Sequence, residues 1–146
     1  MLRIERDPAK VAADAARMRA EIARHKRPGG PFDIKLGPGG LIDLEFAVHT
    51  LQLSHRRGLV PELGRAIAEL AAAGLVPPGT EEAHRLLTRM LVTLRLVSPD
   101  SAEPPPASRD LVARACGTHG WEELLAAHAD ARQTVRELWG AVTKAD

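Results

Sequence analysis

Aromatic side chains are scarce in this 146-residue chain: two Phe, two Trp and no Tyr make up 3% of it. A sandwich or barrel would draw on aromatic and β-branched strands. The 45% hydrophobic content rests instead on Leu, Ala, Val and Ile, which favours helix packing. A single cysteine, Cys116, rules out an intrachain disulfide and suits a reducing, cytoplasmic setting. No stretch approaches the ~18 uninterrupted apolar residues of a membrane span, and Met1 to Arg6 hold no apolar signal core. With 20 basic and 19 acidic residues and a net charge of +1, bulk charge makes no case for nucleic acid or a membrane surface. His-x-x-x-His and Cys-x-x-Cys spacings for zinc are missing, as is a serine in a nucleophile elbow. The expectation is no metal site and no catalytic residue of the chain's own. The length suits one domain spanning 1–146.

What is present reads as six helices and no convincing sheet, an all-α single six-helix bundle. Asp7-Pro8 is a helix start, Asp as cap and Pro at the first helical position. A lead-in helix then covers about 8–27, with Val11, Ala15, Met18 and Ile22 on one face and Arg24 to Arg27 matched to its carbonyl end. Phe32 to Leu36 alternates apolar and polar, so it predicts an extended stretch or very short strand. The glycine turn 37–40 follows and opens a helix to Arg57, stopped by Gly58; motif and helix together span 32–57. Pro61 can open a third helix and Thr80-Glu81-Glu82 a fourth, ended by Ser98-Pro99. Residues 98–107 predict a mobile loop, Ser108 caps a short fifth helix, and the last runs from Trp121 to Val142. The C-terminal helices thus occupy 61–142.

The helix after the glycines carries four stripes on a wheel at ~100° per residue. Leu44, Val48, Leu51 and His55 form one apolar seam, and Ile42, Phe46 and Leu53 another. Glu45, His49, Gln52 and Arg56 lie between them on one side, and Asp43, Thr50, Ser54 and Arg57 on the other. Two seams imply a central helix held between neighbours. Asp43 and Glu45 point roughly 160° apart, so they cannot share one metal or act as a catalytic pair. Asp43 is most simply a dipole-matching residue that holds the glycine loop through its amides. Glu45 and His49 are one turn apart and can touch. Lys35 before Gly37-Pro38-Gly39-Gly40 could cradle a phosphate with exposed amides and one cation, although a structural turn is the simpler reading. It is neither a Walker loop nor a dinucleotide fingerprint. His55 and His128 read as core or boundary residues with partners, and Cys116 as packed.

The stretch Phe32-Asp-Ile-Lys-Leu-Gly-Pro-Gly-Gly-Leu-Ile-Asp-Leu-Glu-Phe46, continuing to Leu53, closely resembles a motif of the glutamine synthetase adenylyltransferases. The resemblance rests on Lys35, Gly37, Gly39, Gly40, Asp43, Glu45 and Phe46, with weaker similarity toward both ends. These bifunctional enzymes attach AMP to a tyrosine of glutamine synthetase and remove it. They hold two nucleotidyltransferase domains, each followed by an all-helical domain that opens with this motif. Ile42-Asp43, where the deadenylylating copy usually has Arg-Glu, is more similar to the C-terminal, adenylylating copy, and the end of the chain soon after its last helix fits that. His49 departs from the family's usual glutamine.

The resemblance implies a helical domain without the catalytic half, partnered by the nucleotidyltransferase domain of the same polypeptide, which would hold ATP and Mg2+. Lys35, Gly37, Gly39, Gly40, Asp43 and Glu45 would then lie near the nucleotide, with Lys35 best placed for a phosphate, and the isolated chain would be inactive. Alternatives are the equivalent domain of a uridylyltransferase acting on PII protein, against which Glu45-Phe46 speaks, and a regulatory module binding PII protein, glutamine or glutamine synthetase. A free-standing bundle with no partner is the last and least favoured alternative.

Overall fold

The computed structural model describes residues 7–98 and 100–144. Met1 to Arg6, read above for a signal core, and Pro99, read as a helix stop, lie outside the described residues. Among these there are six helices and no strand: α1 (Pro8–His25), α2 (Leu41–His55), α3 (Leu63–Ala72), α4 (Thr80–Val97), α5 (Pro106–Ala115) and α6 (Trp121–Thr143). The all-α bundle expected from composition is what forms.

Local chemistry sets most boundaries. The Asp7 carboxylate caps α1 by accepting from the Ala9 amide at 3.1 Å, with Pro8 at the first position. Glu62 caps α3 by accepting from Gly64 and Arg65 at 2.9 and 2.8 Å, so that helix opens two residues past Pro61. α5 starts at Pro106 rather than after Ser108. A proline lacks the amide that the first turn cannot satisfy, so the last of the three prolines begins the helix instead of breaking it. α2 stops at His55, two residues before Arg57, because Arg56 turns left-handed at φ 53°. The buried Gln52 amide secures the exit by donating to Gly58 O at 2.5 Å and Val60 O at 3.3 Å.

The core is aliphatic: Leu44, Val48, Ile67, Leu70, Leu87, Met90, Val112, Leu124, Val135 and Leu138 are all but sealed from solvent. α2 packs against α1, α3, α4 and α6, the central placement its apolar content predicts. Only one of its two expected seams turns inward, and it does so for three of its four residues. Leu44, Val48 and Leu51 are buried, but His55 at the end of that seam is exposed. Ile42 and Phe46 are half-buried and Leu53 is 41% exposed, while Asp43, Ala47 and Thr50 are buried in their place. α1 packs on α2 with Ala12 and Ala15 buried and Arg19 paired to Asp43, while Met18 is 56% exposed. Small residues and a matched charge let a polar stripe turn inward. Cys116 is buried, and burial raises its thiol pKa, which fits a packed residue.

Candidate functional site

The segment before α2 is not a strand. Phe32 to Leu36 folds into successive turns, because Asp33 satisfies its neighbours locally. Its carboxylate accepts from the Leu36 amide at 2.9 Å and the Gly29 amide at 3.0 Å, and its carbonyl accepts from Gly37 at 3.0 Å. With those bonds made at short range and no neighbouring strand, the alternating pattern has nothing to pair with.

Each glycine amide then finds an internal acceptor. Gly39 N donates to Asp43 Oδ2 at 2.8 Å, and Gly40 N to Gly37 O at 2.9 Å. The first amides of α2, Leu41 N and Ile42 N, donate to Ile34 O and Lys35 O at 2.9 and 3.1 Å. The turn therefore offers no free amides from Gly37, Gly39, Gly40, Leu41 or Ile42 to cradle a phosphate, and Pro38 has none. Glycine is needed for close approach instead. At Gly39, φ is +72° and a Cβ would stand 2.5 Å from Arg132 O; at Gly40 it would stand 2.4 Å from Ile34 O. α6 clasps the turn from the far side, with Arg132 Nε donating to Pro38 O at 3.0 Å.

Asp43 does what its place in the first turn predicts and more. Besides holding the Gly39 amide, it accepts from Arg19 Nε of α1 at 2.5 Å. Arg19 Nη2 continues to Leu36 O at 3.1 Å, so one guanidinium ties α1 to both the turn and α2. The pair is 12% and 9% exposed at its side chains, so each charge depends on the other. Arg19 Nη1 is buried without a partner. Arg19 was not singled out from the sequence, although Ala12, Ala15 and Arg19 recur at helical spacing and an arginine on such a face calls for an anion.

Phe32 opens the motif, but its aromatic role was not read from the sequence. Its ring lies 5.6 Å from Trp121 and stacks on His128 at 6.2 Å and 19°. His128 is 7% exposed, and burial followed by the nearby Arg132 charge lowers its pKa to about 4. His128 is thus a neutral core residue under the motif.

The remaining motif groups face outward. Lys35 is exposed, its ammonium has no partner among the described residues, and it borders a cavity of about 490 Å³ between α1, the turn and α4. Glu45 is exposed on another side of α2. It makes no ion pair with His49, whose Nδ1 lies 3.0 Å from Gln52 Oε1. The structure brings Gly37, Gly39, Gly40 and Asp43 together and leaves Lys35 and Glu45 apart from them. Among the described residues no trio of His, Cys, Asp or Glu could hold a metal. Both Asp43 oxygens are occupied, so this donor set does not fit a magnesium ion.

The arrangement is that of a turn closed by its own hydrogen bonds, with the Lys35 ammonium unpartnered among the described residues. A family model described as GlnD PII-uridylyltransferase matches residues 13–143. Bifunctional glutamine synthetase adenylyltransferase/adenylyl-removing enzymes are similar across most of the chain. The protein from Caulobacter vibrioides is 36% identical over 92% of this chain and 15% of its own length. That from Brucella suis is 38% identical over 85% and 14%, and that from Bradyrhizobium diazoefficiens 32% identical over 94% and 15%. The chain spans about 15% of the curated relatives it matches. It belongs to the GlnD PII-uridylyltransferase family, and within it resembles the matching helical segment of the glutamine synthetase adenylyltransferases.

Proposed function

We propose that this chain is the C-terminal helical domain of a glutamine synthetase adenylyltransferase, supporting ATP-dependent transfer of AMP to a tyrosine of glutamine synthetase. It would function in the cytoplasm and be inactive alone. The observation that carries this reading is the division of labour in the motif. Asp43 and the glycine amides are taken up in fixing the turn, Arg19 is tied to it through Nε and Nη2, and Lys35 is held out at the rim of a cleft, unpaired among the described residues. A lysine so placed can reach a phosphate as a mobile point charge. Gly37, Gly39, Gly40 and Asp43 shape the approach, and Glu45, exposed on the same helix, is positional. Mg2+ and the groups that act on ATP belong to a nucleotidyltransferase domain packed beside this one, since the residues here do not fit the metal.

The test is a rescue. The purified chain is added to the separate catalytic domain of an adenylyltransferase, and AMP incorporation into glutamine synthetase is measured. Restored transfer that Lys35→Ala lowers by about tenfold supports the proposal. Transfer that this chain leaves unchanged would defeat it. A second reading, the equivalent domain of a PII uridylyltransferase, is favoured by the description of the matching family. Against it stand Glu45-Phe46 after Asp43 and the adenylyltransferase relatives. Uridylylation of PII protein in the same rescue would decide for it. Binding of PII protein or glutamine without any effect on transfer would decide for a regulatory module.

A further inference from the structure

The cleft beside Lys35 is walled by three parts of the chain: the last turns of α1, the turn 32–36 and the end of α4. Its apolar surface includes Ile22, Leu36, Ile42, Leu91 and Leu94. The charged groups around it are unevenly satisfied. Glu21 is paired with both Arg24 and His25, and Asp33 is held by two backbone amides. Ser98 Oγ donates to Ala102 O at 2.7 Å. The acids in this wall are thus already engaged. Lys26, Lys35 and Arg95 also line it, each exposed and none with a side-chain partner among the described residues. Lys26 and Arg95 stand near the carbonyl ends of α1 and α4. There Ile22 O and Leu94 O already accept from the Lys26 and Ser98 amides, and the two side chains stay free. A wall whose anions are neutralised and whose cations are not selects an acceptor-rich ligand. At about 490 Å³ the cleft falls within the range of small-molecule sites.

We infer that this cleft binds a small organic polyanion with an apolar body, the chemistry of a nucleoside polyphosphate, through Lys26, Lys35 and Arg95 over the aliphatic floor. Two of these cations lie outside the glycine motif, and the site belongs to this chain without the catalytic domain. Naming a nucleotide as the ligand rests on the proposed function; the polyanion selectivity does not.

Calorimetric titration of the 146-residue chain with ATP, tripolyphosphate and adenosine, at about 50 mM salt where surface charge is weakly screened, tests this. ATP should bind saturably and more tightly than tripolyphosphate, and adenosine should bind far more weakly than either. Lys26→Glu and Arg95→Glu should each weaken ATP binding at least about tenfold. Both sites are exposed, and circular dichroism melting verifies that the variants fold. Arg85→Glu, which removes an exposed cation of α4 that does not line the cleft, should leave binding unchanged. The inference fails if ATP shows no saturable binding up to about 5 mM. It also fails if adenosine or tripolyphosphate matches ATP, or if Arg85→Glu weakens binding as much as Arg95→Glu. The two proposals fail separately. Lost binding with Lys35-dependent rescue overturns the cleft alone, and intact binding without rescue overturns the adenylyltransferase reading alone.

Discussion

Asp43 and Glu45 stand two residues apart on α2 in very different surroundings. Around Asp43 nearly every polar group is engaged: the carboxylate holds Arg19 and the Gly39 amide, Arg19 reaches Leu36 O, and Arg132 closes on Pro38 O, with Arg19 Nη1 the exception among the described residues. Around Glu45 and Lys35 the side chains are exposed, and Lys35 has no partner among the described residues. One short motif therefore contains a sealed half that builds shape and an open half that is available to something else. A motif match alone gives both halves equal weight, and burial separates them.

The contrast breaks most sharply at Asp43. Asp43→Ala leaves Arg19 charged and buried without its anion, and should cost about 3–5 kcal/mol in urea unfolding. A double change with Arg19→Met should recover much of that loss, because the stranded charge goes too. His128 comes next. Its folded pKa of about 4 lies below the ordinary 6.5, so the unfolded chain takes up the proton first. Stability is complete above about pH 6.5 and declines as pH falls toward 4, by at most roughly 3 kcal/mol. In melts across that window, His128→Leu should flatten this part of the profile. Gly39→Ala places a left-handed Cβ against Arg132 O and should cost about 2 kcal/mol. Lys35→Ala, in the open half, should move unfolding by less than about 0.5 kcal/mol. A large loss of stability there would erase the distinction between the halves.

Helix number, order and the aliphatic core were legible in the sequence because they follow from periodicity and caps. The capping role of Asp7 and the link from Asp43 to the glycine amides were also readable from position. Other features depend on partners remote in sequence. The pairing that turns Asp43 inward comes from Arg19, on a different helix, and it reverses which flank of α2 is buried. The strand expected at Phe32 to Leu36 failed because Asp33 supplies local acceptors that an alternating pattern does not register. The unpaired state of Lys26, Lys35 and Arg95 appears only when the walls of the cleft are assembled, since each looks like an ordinary surface cation by itself.

The bond from Arg132 to Pro38 joins positions 94 residues apart. Gly39 packs against the same stretch of α6, so the turn has its final shape only once the last helix has docked. During synthesis the glycine turn leaves the ribosome 94 residues ahead of its Arg132 partner and stays unfinished until α6 has followed it. A chain cut before Trp121 could keep several helices but would lack the surface that locks the turn and sets Lys35 at its cleft. The order of assembly thereby makes completion of the bundle a precondition for presenting the motif.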